Sequence, residues 1–123
     1  MTTSVSRLKK RASFLAVAAN KKTFRTPTML VQLKERLANE DPEVALRVGF
    51  TATRRHVGNA VTRNRARRRL RAVVAQIAPT LMPSCPIDLV LIATATTATA
   101  PYPALVRDFL SAMKRFSLLG EAS

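Results

Sequence analysis

The 123-residue chain predicts a two-layer α/β domain, with helices packed on a mixed central sheet in the order α-β-β-β-α-β-α. Three segments carry that prediction. Ala45–Thr53 alternates Leu46, Val48, Phe50 and Ala52 with Arg47, Gly49 and Thr51, the period of a half-buried strand. From Ala60 the period becomes helical: Ala66, Leu70, Val73, Val74 and Ile77 form one apolar stripe. Ile87–Ala95 is almost wholly apolar, as an interior strand requires.

The elements follow in order. Residues 1–34 contain no acid, and RLKKRAS precedes FLAVAA, which resembles the charged and apolar parts of a secretion signal. Phe14–Ala19 is shorter than the ~7–15 residues of such an apolar core. Composition alone leaves a mitochondrial presequence open. The preferred reading is a first helix over Arg7–Ala19, with Leu8, Ala12, Leu15 and Ala19 on one side. Thr23–Thr26 reads as a short strand closed by Pro27, and Thr28–Lys34 as a second strand. Glu35–Glu43 holds four of the seven acids and a proline, so it reads as a turn or loop. Gly58-Asn59 starts the long helix, with Asn59 able to cap it, and Pro79 ends it. Residues 79–86 carry three prolines and form a connection. After the small-residue loop TTATAP, Pro101 opens a last helix. Tyr102, Leu105, Val106, Phe109, Leu110, Met113 and Phe116 give that helix an apolar stripe. One domain spans residues 1–123, with no internal repeat.

Charge dominates the functional reading. The formal net charge is +14, and no acid lies between Glu43 and Asp88. Within that interval stand Arg54, Arg55, Arg63, Arg65, Arg67, Arg68, Arg69 and Arg71. At ~100° per residue the helical arginines are not confined to one face. The pairs Arg63/Arg67, Arg65/Arg69 and Arg67/Arg71 each cost an isolated helix roughly 0.2–0.5 kcal/mol. Solvated helix faces usually mix Glu with Lys, so this pattern points to a polyanion as counter-charge. Every basic position of the helix is arginine, whose planar guanidinium forks onto phosphate and stacks on bases. Asn64, between Arg63 and Arg65, can hydrogen-bond in both directions. An irregular RNA surface fits as well as a duplex groove.

Other classes find less support. A hydrophobic fraction of 47% argues against a disordered basic tail. A single cysteine, Cys85, excludes an internal disulfide and a cysteine-based zinc site, and reads as a buried filler. No apolar run reaches the ~18–20 residues of a membrane span. A strand-rich order gives no helix-turn-helix, so DNA is not the expected partner. Metal-dependent nuclease chemistry needs clustered carboxylates or histidines, whereas the seven acids are scattered and His56 is the only histidine. Asp88 and Asp108 read as surface or ion-pair residues. His56, beside Arg54 and Arg55, is either an RNA contact or a plain structural or solvent-facing residue. With three glycines there is no Gly-rich phosphate loop.

These residues resemble the protein subunit of bacterial ribonuclease P along nearly the whole chain. The likeness covers RLKKRASF (7–14), FRTP (24–27), LRVGFTAT (46–53) with Arg54-Arg55, GNAVTRNRARRRLR (58–71) and DLVLIA (88–93). Its most specific part is Ala60-x-x-Arg63-Asn64-Arg65-x-Arg67-Arg68-x-x-Arg71, placed after a strand bearing RVGF and a basic pair. The resemblance implies a left-handed β-α-β crossover, a rare exception to the usual hand. It also implies a cytoplasmic, non-catalytic subunit of an endoribonuclease. The catalytic RNA, with magnesium, hydrolyses the phosphodiester, while the protein holds the precursor tRNA and its 5′ leader and promotes magnesium binding. By resemblance Arg63, Asn64, Arg67, Arg68 and Arg71 face RNA and Phe14 lines the leader cleft, and the charge pattern adds Arg54, Arg55 and Arg65 to the RNA-binding candidates. Ala18 and Gln32 replace common aromatics, leaving Phe24 and Phe50 as candidates for that cleft. Arg69 stands where an apolar residue is frequent, and is expected to act as general charge. The alternative is a ribosome-associated basic RNA-binding structural protein.

Overall fold

The computed structural model describes residues 5–37, 43–83 and 85–118. Five strands form one mixed sheet: β1 (Val5–Arg7), β2 (Lys22–Arg25), β3 (Met29–Glu35), β4 (Leu46–Thr51) and β5 (Ile87–Ala93). Four helices accompany them: α1 (Arg11–Ala19), α2 (Arg54–Val57), α3 (Ala60–Ile77) and α4 (Tyr102–Arg115). The strand order is β1-β4-β5-β3-β2. β5 is parallel to β4 and antiparallel to β3, so the apolar IDLVLIA segment is central, as its composition predicts. The connection from β4 through α3 to β5 is a β-α-β crossover between adjacent parallel strands.

The larger core lies where α3 and α4 meet the sheet. Val31, Leu33, Val48, Leu89 and Leu91 pack there against Leu70, Val73 and Ile77 of α3 and Leu105, Phe109 and Met113 of α4. α3 buries its predicted stripe whole, whereas of the α4 stripe Leu105, Phe109 and Met113 are buried and Tyr102, Val106, Leu110 and Phe116 are half-buried against the same core. Strand alternation sends Val90 and Ile92 of β5 to the opposite face, where they meet Leu8, Phe14 and Val17. α1 therefore covers part of the second face, and Gly49 of β4, expected on a solvated side, is buried.

The N-terminal region departs most from expectation. Residues 5–7 form β1, parallel to β4, and the helix begins only at Arg11. β1 is three exposed residues held by backbone pairing, so no side-chain period marks it. α1 presents Phe14 and Val17 to the sheet, while Leu15 is 56% exposed. Leu8, expected on one side of the helix, is buried from the β1–α1 connection instead.

The start of α3 matches its sequence signal: Asn59 Oδ1 accepts from the Thr62 backbone N–H at 2.9 Å. Gly58 separates α2 from α3 with φ +113°, a backbone conformation that favours glycine. The two acids expected to be surface or ion-pair residues are buried and both lie within ion-pair distance of an arginine. Asp108 accepts from the Thr28 hydroxyl at 2.8 Å, tying α4 to the start of β3. Asp88, 2% exposed, lies 2.9 Å from Arg36 Nε and accepts from Arg47 Nε at 2.8 Å and Arg47 Nη2 at 2.7 Å. Of the predicted acidic loop, residues 38–42 lie outside the described residues.

Candidate nucleic-acid interface

α2 and α3 turn their arginines outward because the apolar stripe of α3 is consumed by the sheet. Arg54, Arg55, Arg65, Arg68 and Arg71 are exposed, and Arg63 and Arg67 half-buried. Among the described residues none of these seven has a carboxylate within 4.0 Å. Asn64 accepts a hydrogen bond from Arg67 Nη2 at 2.7 Å, so its amide fixes the direction of that guanidinium. Arg63 Nε is buried with no hydrogen-bond partner.

Arg69 behaves differently from the general charge expected of it. Its guanidinium donates to the carbonyls of Thr97 at 2.8 Å and Ala100 at 2.6 Å, bracing the loop that leads into α4. No local sequence signal announces that bond, because its partners lie 28 and 31 residues away. His56 is held locally: its Nδ1 is 2.9 Å from Thr53 Oγ1, which also caps α2 by accepting from the His56 backbone N–H at 3.3 Å.

A second basic surface lies at the β1 edge of the sheet. Arg7, Leu8, Lys9, Phe14 and Phe50 line a cleft of about 350 Å³ there. Phe14 and Phe50, both candidates from sequence, thus share one hollow. Phe24 does not line it: it sits on β2, the opposite edge strand, paired with Val31 and packed against the larger core. Arg7 is a cleft residue that sequence reasoning passes over, because β1 carries no period. The Arg71 guanidinium carbon lies 5.9 Å from the Phe50 ring centroid, within reach of a cation–π contact. Burial, then repulsion from Arg7 and Arg67, pushes the Arg71 guanidinium below its ordinary pKa. Positive charge converges here, with no carboxylate within 4.0 Å of Arg7 or Arg71 among the described residues.

Gly49 determines where Phe14 sits. A Cβ at this position would lie 2.4 Å from Phe14 Cε1 and 2.5 Å from Cζ. Gly49→Ala must therefore expel the ring, at a cost of about 1–3 kcal/mol for overpacking. Thermal denaturation should register that loss, and α1 should move away from the sheet. An unchanged melting temperature would mean that Phe14 is not wedged there.

Among the described residues no group of three or more His, Cys, Asp or Glu could hold a metal ion. Asp88 and Asp108 are already occupied by internal donors. No helix among the described residues is long and apolar enough to cross a membrane.

Comparison with known proteins decides the family. Residues 3–117 match the family model described as Ribonuclease P. The chain belongs to the ribonuclease P protein family. The ribonuclease P protein component of Paramagnetospirillum magneticum is 43% identical over 119 residues, covering 97% of this chain and 88% of that protein. That of Gluconacetobacter diazotrophicus is 39% identical over 120 residues, covering 98% of each. The fold agrees with the solved RNase P proteins of Staphylococcus aureus (TM-score 0.73, 18% identity, 93% of this chain and 97% of that one) and Thermotoga maritima (TM-score 0.71, 21% identity, 89% and 96%). The chain is thus the protein component of an endoribonuclease that processes precursor tRNA with a catalytic RNA. The ribosome-associated alternative gives way to this membership.

Proposed function

We propose that α2 and α3 form the surface that holds the catalytic RNA, and that the Arg7–Phe14–Phe50 cleft receives the 5′ leader of the precursor tRNA. The observation that carries this reading is the set of seven arginines that, among the described residues, have no carboxylate within 4.0 Å, on helix surface the core does not use. Arg54, Arg55, Arg63, Arg65, Arg67, Arg68 and Arg71 neutralise phosphates, and Asn64 aims Arg67. In the cleft, aromatic faces stack unpaired bases while Arg7 and Lys9 meet the backbone. The chemistry belongs to the RNA: magnesium is bound there, and the protein contributes position and charge in the cytoplasm, where precursor tRNA is made.

The purified protein is expected to cleave no precursor tRNA at any magnesium concentration. Cleavage should appear on addition of a ribonuclease P RNA, and should need less magnesium than the RNA alone. Phe14→Ala should weaken binding of precursor tRNA but not of mature tRNA. Cleavage by RNA-free protein after stringent purification would overturn the division of labour. Equal effects of Phe14→Ala on both substrates would overturn the leader assignment.

A further inference from the structure

Beyond the Phe14 cleft, the same sheet edge opens into a second groove of about 430 Å³, within the ~300–1,000 Å³ range of ligand sites. Val5, Val48, Val74 and Ala75 are among its apolar walls, and Arg7 and Arg71 supply its two charges. Val5 is 45% exposed, so this wall is not spent on the core. Arg7 and Phe50 line both hollows and form their common boundary. Among the described residues neither hollow is lined by a carboxylate.

Apolar walls suit a flat, weakly hydrated ring, and paired guanidiniums suit a phosphate. An unpaired nucleotide offers both within one residue. Burial, then Arg7 and Arg67, lowers the proton affinity of Arg71, and an arriving anion offsets the repulsion between these guanidiniums. Continuity across Arg7 and Phe50 selects the strand that the first cleft already holds.

We propose that this groove binds one further unpaired nucleotide of the precursor leader, next to the segment in the Phe14 cleft, with its phosphate between Arg7 and Arg71. The inference rests on the leader reading given above. It makes α3 a two-sided element: its outer arginines face the catalytic RNA, and its C-terminal half closes a pocket for substrate.

The test uses holoenzyme reconstituted with a ribonuclease P RNA and precursor tRNAs whose leaders grow one nucleotide at a time. Wild-type protein should show two successive gains in affinity as the leader lengthens, the later one about fivefold or more. Phe14→Ala should remove the earlier gain. Ala75→Trp, which fills the groove from an exposed helical position without changing charge, should remove the later one. Each gain is read as a ratio between leader lengths, so a general loss of affinity cancels. Should Ala75→Trp keep the later gain while Phe14→Ala loses the earlier, the groove proposal is overturned and the leader reading stands. If neither variant changes any step, both are overturned. A second measurement uses unaltered protein: 4-thiouridine at the leader position of the later gain should photocrosslink to residues 5–7 or 74–79. Crosslinks confined to the RNA subunit or to α1 would overturn the proposal.

Discussion

Asp88→Ala should be the most damaging single substitution for stability, costing about 3–5 kcal/mol. The Asp88 carboxylate is the common partner of two guanidiniums, Arg36 with its side chain 0% exposed and Arg47 with 17%. Removing it leaves Arg36 buried and Arg47 half-buried without their carboxylate, and the penalty is desolvation rather than the lost attraction. Against a total of roughly 5–15 kcal/mol for a small domain, this approaches the whole margin. Arg47 and Asp88 are also directly paired across β4 and β5, the two parallel strands joined by the arginine helix. The loss should therefore loosen the crossover that presents α3. Urea denaturation of wild type and variant gives the difference directly. A change under about 1 kcal/mol would mean that water already solvates the cluster, as for exposed ion pairs.

Affinity for ribonuclease P RNA should collapse with salt. If roughly six phosphates are neutralised, log affinity falls with log salt at about −0.7 to −0.9 per phosphate. Between about 50 and about 200 mM salt that amounts to a loss of roughly 300- to 1,800-fold. Arg69 supplies the internal control. Its guanidinium is engaged by the Thr97 and Ala100 carbonyls, so Arg69→Ala should leave the slope nearly unchanged and lower stability by about 1–3 kcal/mol instead. Arg68→Ala removes an exposed arginine from the outer face of α3, and should flatten the slope by about one unit with little change in stability. A total slope near −1, or an Arg69→Ala slope as flat as that of Arg68→Ala, would contradict this division.

The legible parts share one property. α3, α4, β4 and β5 each bury a face through their own repeating side chains, so the periods of Leu70–Ile77 and Leu105–Met113 report packing directly. The Asn59 cap is equally local, donor and acceptor lying three residues apart. β1 leaves no trace in the sequence because backbone groups hold it and its side chains are exposed. The face that α1 buries differs from the expected one because its short apolar run allows more than one stripe. The choice of Phe14 and Val17 over Leu15 depends on Gly49, 35 residues after Phe14, leaving room for a ring.

The sequence by itself determined the family, the α/β class, the two long helices and the excess of arginine seeking a polyanion. Those properties are written in local period, composition and motif. Only the tertiary structure decided which charges remain available. It assigned Arg69 to internal carbonyls and Arg36 and Arg47 to Asp88, while the outer arginines of α3 have no acid within 4.0 Å among the described residues. It also brought Arg7, Phe14 and Phe50 to one edge and carried Phe24 to the other. The reason is physical: a guanidinium or a phenyl ring is indifferent to sequence distance. Its partner is whatever the sheet order brings within a few ångströms, and that order is a property of the packed chain.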